Sequence, residues 1–145
     1  MTSTSGTDEP RPELLETIDE AGCYRLLGAV TVGRLAVVLD GHPHLVVLNH
    51  LLAGRVLLFR TREDAAIARV TGEGLALQAE FEVDSAFAAA ASGWSVIASG
   101  LLVVERDRER VAVARSGIHA WAEGERDTVL RLDIARVSGR RVGAL

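Results

Sequence analysis

Leu75–Asp84 reads LALQAEFEVD, and this stretch decides the fold class. Leu75, Leu77, Ala79, Phe81 and Val83 share one face, while Gln78, Glu80, Glu82 and Asp84 share the other. A sustained period of two marks a half-buried antiparallel strand. Toward the N-terminus the same strand texture begins at Val30. Gly33–Leu39 is an apolar run closed by Asp40-Gly41, a hairpin turn signal. His44–Leu52 is apolar nearly throughout and is expected to be buried on both faces. Ala53-Gly54 turns the chain again into Arg55–Phe59. Arg62–Val70 has helical composition, ended by Thr71-Gly72.

Toward the C-terminus, the small residues Ala86–Ser92 bridge to a long strand over Trp94–Glu105. ERDRER and the VAVAR that follows read as the start of a solvated helix, and Gly117–Arg126 as a loop. Leu130, Leu132 and Ile134 alternate with Arg131 and Asp133 in a last strand, and Ser138-Gly139 is expected to bend the chain. At the other end, residues 1–13 (MTSTSGTDEPRPE) are polar and hold two of the three prolines, as a disordered leader would. Thr17 and Glu20 have capping-box spacing, which predicts a helix over about 18–28. About six strands joined by hairpins, without strict βαβ alternation, predict a mainly β domain over 14–145: a small antiparallel barrel with peripheral helices.

Composition narrows the function. At 145 residues, roughly two-thirds of the unfolded surface can be buried, so the core needs no covalent staple. The lone Cys23 excludes an internal disulfide framework. All 16 basic residues are arginine, and against 20 acidic ones the net charge is −4. A whole-domain basic footprint for nucleic acid is absent. No apolar run is long enough to span a bilayer, so the expectation is a cytoplasmic protein without nucleic-acid or membrane partners.

Familiar catalytic motifs fail on their own terms. Gly72-Glu73-Gly74 opens a dinucleotide fingerprint, but the third glycine is missing and a strand follows. Without lysine a Walker-type loop cannot exist. Gly93-Trp94-Ser95 lacks the second glycine of a nucleophile elbow, since Ile97 stands there. His42, His44 and His50 share one strand face, yet no carboxylate of matching phase accompanies them, so no metal site is assigned.

Leu45–Thr61 is more informative. Asn49, the only asparagine, lies inside an apolar strand. Its carboxamide needs partners, which a flat heteroaromatic ligand or neighbouring backbone at a bulge would supply. Arg60-Thr61 precedes the expected helix at Arg62; the pair reads either as an anion site beside a helix N-terminus or as a solvated capping arginine.

The order VGRLAVVLDGHPHLVVLNHLLAGRVLLFRT, FEVD, GWSVIASG, WAEGERDTVLRL and VSGRR resembles the pyridoxamine 5′-phosphate oxidase-like, FMN-binding split-barrel family, over roughly residues 19–142. It is most similar to the small actinobacterial branch of flavin-nucleotide-binding proteins. The resemblance implies a six-stranded antiparallel split β-barrel that forms a homodimer with two cofactor sites at the interface. It implies a flavin-dependent oxidoreductase that uses FMN and passes hydride between the flavin and a small-molecule substrate. By residue, it implies that Val46, Val47, Leu48 and Asn49 run beside the flavin ring. Arg60, Thr61 and Arg62 would approach the ribityl phosphate, Trp94 and Ser95 would lie along the ring, and Trp121 would close it from the second chain. Relatives place a phosphate-binding lysine where this chain has Ala66, after Glu63 and Asp64, and many carry proline at Val47. Two alternatives follow. One is a deazaflavin (F420) reductase, if Arg60, Arg62 and Arg69 line one open channel. The other is a non-catalytic dimeric module that binds a small aromatic ligand or has lost its cofactor.

Overall fold

The computed structural model describes residues 14–85, 92–119 and 128–143. The leader at 1–13 and Trp121 therefore lie outside the described residues. Seven strands and three helices follow in the order β1 (Leu14–Ile18), α1 (Glu20–Ala29), β2 (Val32–Leu39), β3 (His42–Ala53), β4 (Val56–Thr61), α2 (Ala66–Gly72), β5 (Leu77–Asp84), β6 (Gly93–Val104), α3 (Arg108–Gly117) and β7 (Thr128–Gly143). All pairings are antiparallel, in the order β1-β7-β4-β3-β2-β5-β6, and β6 pairs back onto β7. That last pairing closes six strands, β2 to β7, into a barrel. The six-stranded barrel read from the sequence is thus present, with β1 added outside it on the edge of β7.

One register row shows why the chain closes this way. Val46, Leu35, Phe81, Ala98 and Val137 lie side by side across five strands. Each belongs to the inward set of its strand, because successive residues point to opposite faces. Ala79, Phe81 and Val83 are buried, as the alternation predicts, while Leu75 precedes the strand and is exposed. The Phe81 ring lies 5.0 Å from that of Phe59 on β4 and 4.9 Å edge-on from His50. Phe59, Phe81, Leu35, Leu57 and Leu132 join Leu27 and Cys23 of α1 in one main core. A smaller core forms outside the barrel, where Ala114 and Ile118 meet Leu58 and Val129.

Several local expectations change. Residues 14–18 form a strand, and the helix starts after Asp19, whose Oδ1 accepts from the Gly22 amide at 2.9 Å. Asp19 is the stronger N-cap, and Thr17 pairs instead with Arg140. β3 is not buried on both faces: Leu45 is 70% and Val47 58% exposed in this chain. Residues 62–65 are not helical, so α2 is seven residues long and has no side-chain cap. Ser138-Gly139 does not interrupt the strand; β7 continues through it to Gly143. Glycine is needed at 139 because a Cβ there would stand 2.8 Å from Cys23 Sγ and 3.1 Å from Ile18 Cβ. ERDRER is not wholly solvated either. Glu105 is only 4% exposed, accepts the Asp107 amide at 2.9 Å, and is bound by Arg131 at 3.0 Å and Arg110 at 3.5 Å. Burial alone would raise its pKa, but the Asp107 amide and Arg131 outweigh that and hold it below the usual carboxylate value. Among the described residues no helix is long and apolar enough to cross a membrane.

Candidate ligand-binding site

The inward face of β3 carries His44, Val46 and Leu48 in one phase. Together with Thr61 at the end of β4 and Ala65, Ala66 and Ile67 at the start of α2, they wall a cavity of about 180 Å³. Leu35, Phe59 and Leu130 form its floor. The position of α2 follows from Ile67, which packs into the main core, and from Thr71, whose hydroxyl donates back to the Ile67 carbonyl oxygen at 2.7 Å. Among the described residues, His44 and Thr61 bring polar side chains to this cavity and the rest of the lining is apolar.

Val46, Leu48 and Thr61 thus line one cavity. Val47 and Asn49 alternate onto the outer face of β3. There Asn49 faces Arg60, one step beyond the His50–Phe59 pair. Both grip the end of α3: Asn49 Nδ2 donates to the His119 carbonyl oxygen at 2.7 Å, and Arg60 Nη1 to those of Ile118 at 2.9 Å and Arg115 at 3.3 Å. Of the two readings of Asn49, backbone is its partner in this chain, although a distant segment supplies it. Arg60 and Thr61 do not make one anion site, because they occupy opposite faces of β4. The buried Arg60 Nε finds no hydrogen-bond partner among the described residues. Arg62 is exposed and forked onto Asp64, Nε to Oδ1 at 2.9 Å and Nη2 to Oδ2 at 3.1 Å. Those bonds hold the Asp64 carboxyl below its usual value.

Trp94 and Ser95 stand apart from this group. Trp94 packs partly into the main core, and its amide donates to Ser85 Oγ at 2.9 Å. Ser95 pairs with Asp84 on β5 and Arg140 on β7, on the strand across the barrel from β3, and neither Trp94 nor Ser95 lines the cavity. The three histidines do not converge: His42 and His44 are exposed, whereas His50 is buried with Nε2 2.8 Å from the Leu27 carbonyl oxygen. Among the described residues no three His, Cys, Asp or Glu side chains are grouped to hold a metal. His44 stands on the cavity wall, where its phase with Val46 and Leu48 puts it.

The profile of the pyridoxamine 5′-phosphate oxidase family matches residues 19–141. The chain belongs to that family. Solved structures of other proteins share the barrel of this pyridoxamine 5′-phosphate oxidase family chain. The FAD-binding protein of Mycobacterium smegmatis is 27% identical and superposes with a TM-score of 0.69 over 87% of this chain and 97% of that one. An FAD-binding protein of Mesorhizobium loti, 23% identical, superposes with a TM-score of 0.72 over 91% and 99%. In sequence, the uncharacterized protein Rv0080 of Mycobacterium tuberculosis is 29% identical over 129 residues, 88% of this chain and 85% of that protein.

Within this pyridoxamine 5′-phosphate oxidase-family chain the two ends of the site differ in chemistry. The apolar strand wall with two polar groups suits a flat heteroaromatic ring. The start of α2 is apolar in its lining and flanked by Glu63 and Asp64, which does not suit a phosphate dianion.

Proposed function

We propose that the chain is a flavin-binding oxidoreductase that acts as a homodimer on a small-molecule substrate. The observation that carries this reading is the cavity formed by Val46, Leu48 and Thr61 between β3 and α2. A relative 27% identical to this chain binds FAD, which favours the same class of ligand here, whether FMN or FAD. A bound flavin supplies hydride transfer, so the protein needs to bind, orient and exclude water and needs no acid–base pair. Val46 and Leu48 would pack the ring, and His44 and Thr61 would meet its polar edge.

The cavity of one chain, about 180 Å³, is smaller than the roughly 300–1,000 Å³ of complete small-molecule sites. A second copy would supply the missing wall. On the opposite, outer face of β2 and β3, Val38, Leu45 and Val47 are 61%, 70% and 58% exposed, which supports a second copy docking on that face. An apolar stripe of that kind is the feature expected of an interface.

The deazaflavin reading needed Arg60, Arg62 and Arg69 in one channel. Arg60 engages α3 on the outer face and Arg62 engages Asp64, so nothing in the described residues favours it. A second reading, a non-catalytic flavin-binding module, is favoured by Glu63 and Asp64 beside the cavity. One experiment addresses both. The purified protein is desalted, titrated with riboflavin, FMN and FAD, and sized by sedimentation with and without flavin. Uptake of a flavin at micromolar concentration by a dimer supports binding, and reduction of the bound flavin by a nicotinamide donor supports the oxidoreductase over the module. A protein that takes up none of the three at that concentration refutes both.

A further inference from the structure

We infer that this site recognises the ring system of a flavin and not its phosphate, so that riboflavin binds about as well as FMN or FAD. The inference rests on the flavin reading and concerns which part of the ligand contributes affinity. Phosphate is held by forked arginines, by lysine, or by free amides at a helix N-terminus. The chain contains no lysine. Arg60 points to the face of β4 opposite Thr61, where two carbonyl oxygens hold its guanidinium. Arg62 is closed onto Asp64 by two parallel bonds. The start of α2 presents Ala65 and Ala66 to the cavity, and the exposed Glu63 and Asp64 stand just before them. Among the described residues on α2, Arg69 is a further cation, and it already contributes to holding Asp64 ionised. A dianion entering here meets two carboxylates and an arginine whose fork is occupied. The ring end carries no such penalty, since its wall is apolar.

The test is a fluorescence titration of the full chain with riboflavin, FMN and FAD at low and at physiological salt. Dissociation constants for riboflavin and FMN within about threefold of each other are expected, with little salt dependence. FMN binding more than about tenfold tighter than riboflavin, with affinity falling as salt rises, overturns the inference and leaves the flavin reading standing. Failure of all three flavins to bind overturns the flavin reading and this inference with it. Two variants sharpen the result. Asp64→Asn, at an exposed position, releases Arg62 and is expected to raise FMN affinity over riboflavin several-fold. Ala66→Lys is expected to do the same by adding a cation at the cavity wall. If both variants fold and neither changes the FMN-to-riboflavin ratio, the phosphate does not lie at this end of the site, and the inference is wrong.

Discussion

His50 gives the most direct test of how the barrel interior is held. Its ring is 5% exposed, edge-on to Phe81, with Nε2 2.8 Å from the Leu27 carbonyl oxygen. A carbonyl only accepts, so Nε2 carries the proton and Nδ1 is bare; Nδ1 has no partner among the described residues. Protonating it would place a charge in the apolar core. Burial accordingly lowers the folded-state pKa below the ordinary 6.5, despite bonds to backbone that act the other way. The sign follows from proton counts. Below about pH 6.5 the unfolded chain takes up a proton that the folded chain refuses, so stability falls with pH until the folded value is reached. The slope from one such group is at most about 1.4 kcal/mol per pH unit. Urea unfolding of the wild type and of His50→Leu, from about pH 7.5 to about pH 5.5, measures it. The variant is expected to start about 1–3 kcal/mol lower, because the Leu27 carbonyl loses its donor, and to lack this slope. Equal slopes in the two proteins would refute the reasoning.

Three further outcomes are expected. Arg60→Ala removes two charge-assisted bonds to the end of α3 and should cost about 2 kcal/mol, with Asn49→Ala costing about 1 kcal/mol; hydrogen exchange at residues 115–119 should rise in both. Gly139→Ala forces a Cβ to within 2.8 Å of Cys23 Sγ and should cost about 1–3 kcal/mol in denaturant unfolding, with Cys23→Ala restoring part of the loss. Val46→Phe fills the cavity beside Leu48; flavin binding should drop at least about tenfold while far-ultraviolet circular dichroism stays unchanged.

Much of the barrel was legible because strand burial writes itself into sequence as a period of two. LALQAEFEVD announced β5, Asp40-Gly41 announced the β2–β3 turn, and both positions of that turn adopt positive φ, 51° and 75°. Other features left no local signal. β1 is a short strand whose reason to exist is the free edge of β7, a partner more than a hundred residues away in the chain. Gly139 looked like a bend because glycine marks both turns and close approaches, and only the position of Cys23 tells them apart. Glu105 opens a charged run, which by itself points to solvent, yet Arg131 from β7 pairs with it in a buried position.

The site was legible in its residues and misread in its geometry. Val46, Leu48 and Thr61, named from the family resemblance, line one cavity because each has the inward parity of its strand. Arg60 and Thr61 were paired because they are neighbours in sequence and both bind anions. Neighbours in a strand point to opposite faces, so the same period that predicts the barrel already separates this pair. Asn49 follows the same rule. It shares parity with Leu45 and Val47, whose exposure puts that face of β3 outside the barrel. The outer face thereby gains a clamp on α3, and the inner face retains an apolar pocket whose polar side chains are one imidazole and one hydroxyl. Parity therefore carries a consequence for ligand choice. A strand that directs its guanidinium outward leaves the inward cavity without that cation, and a ligand that binds there is held by the fit of its rings.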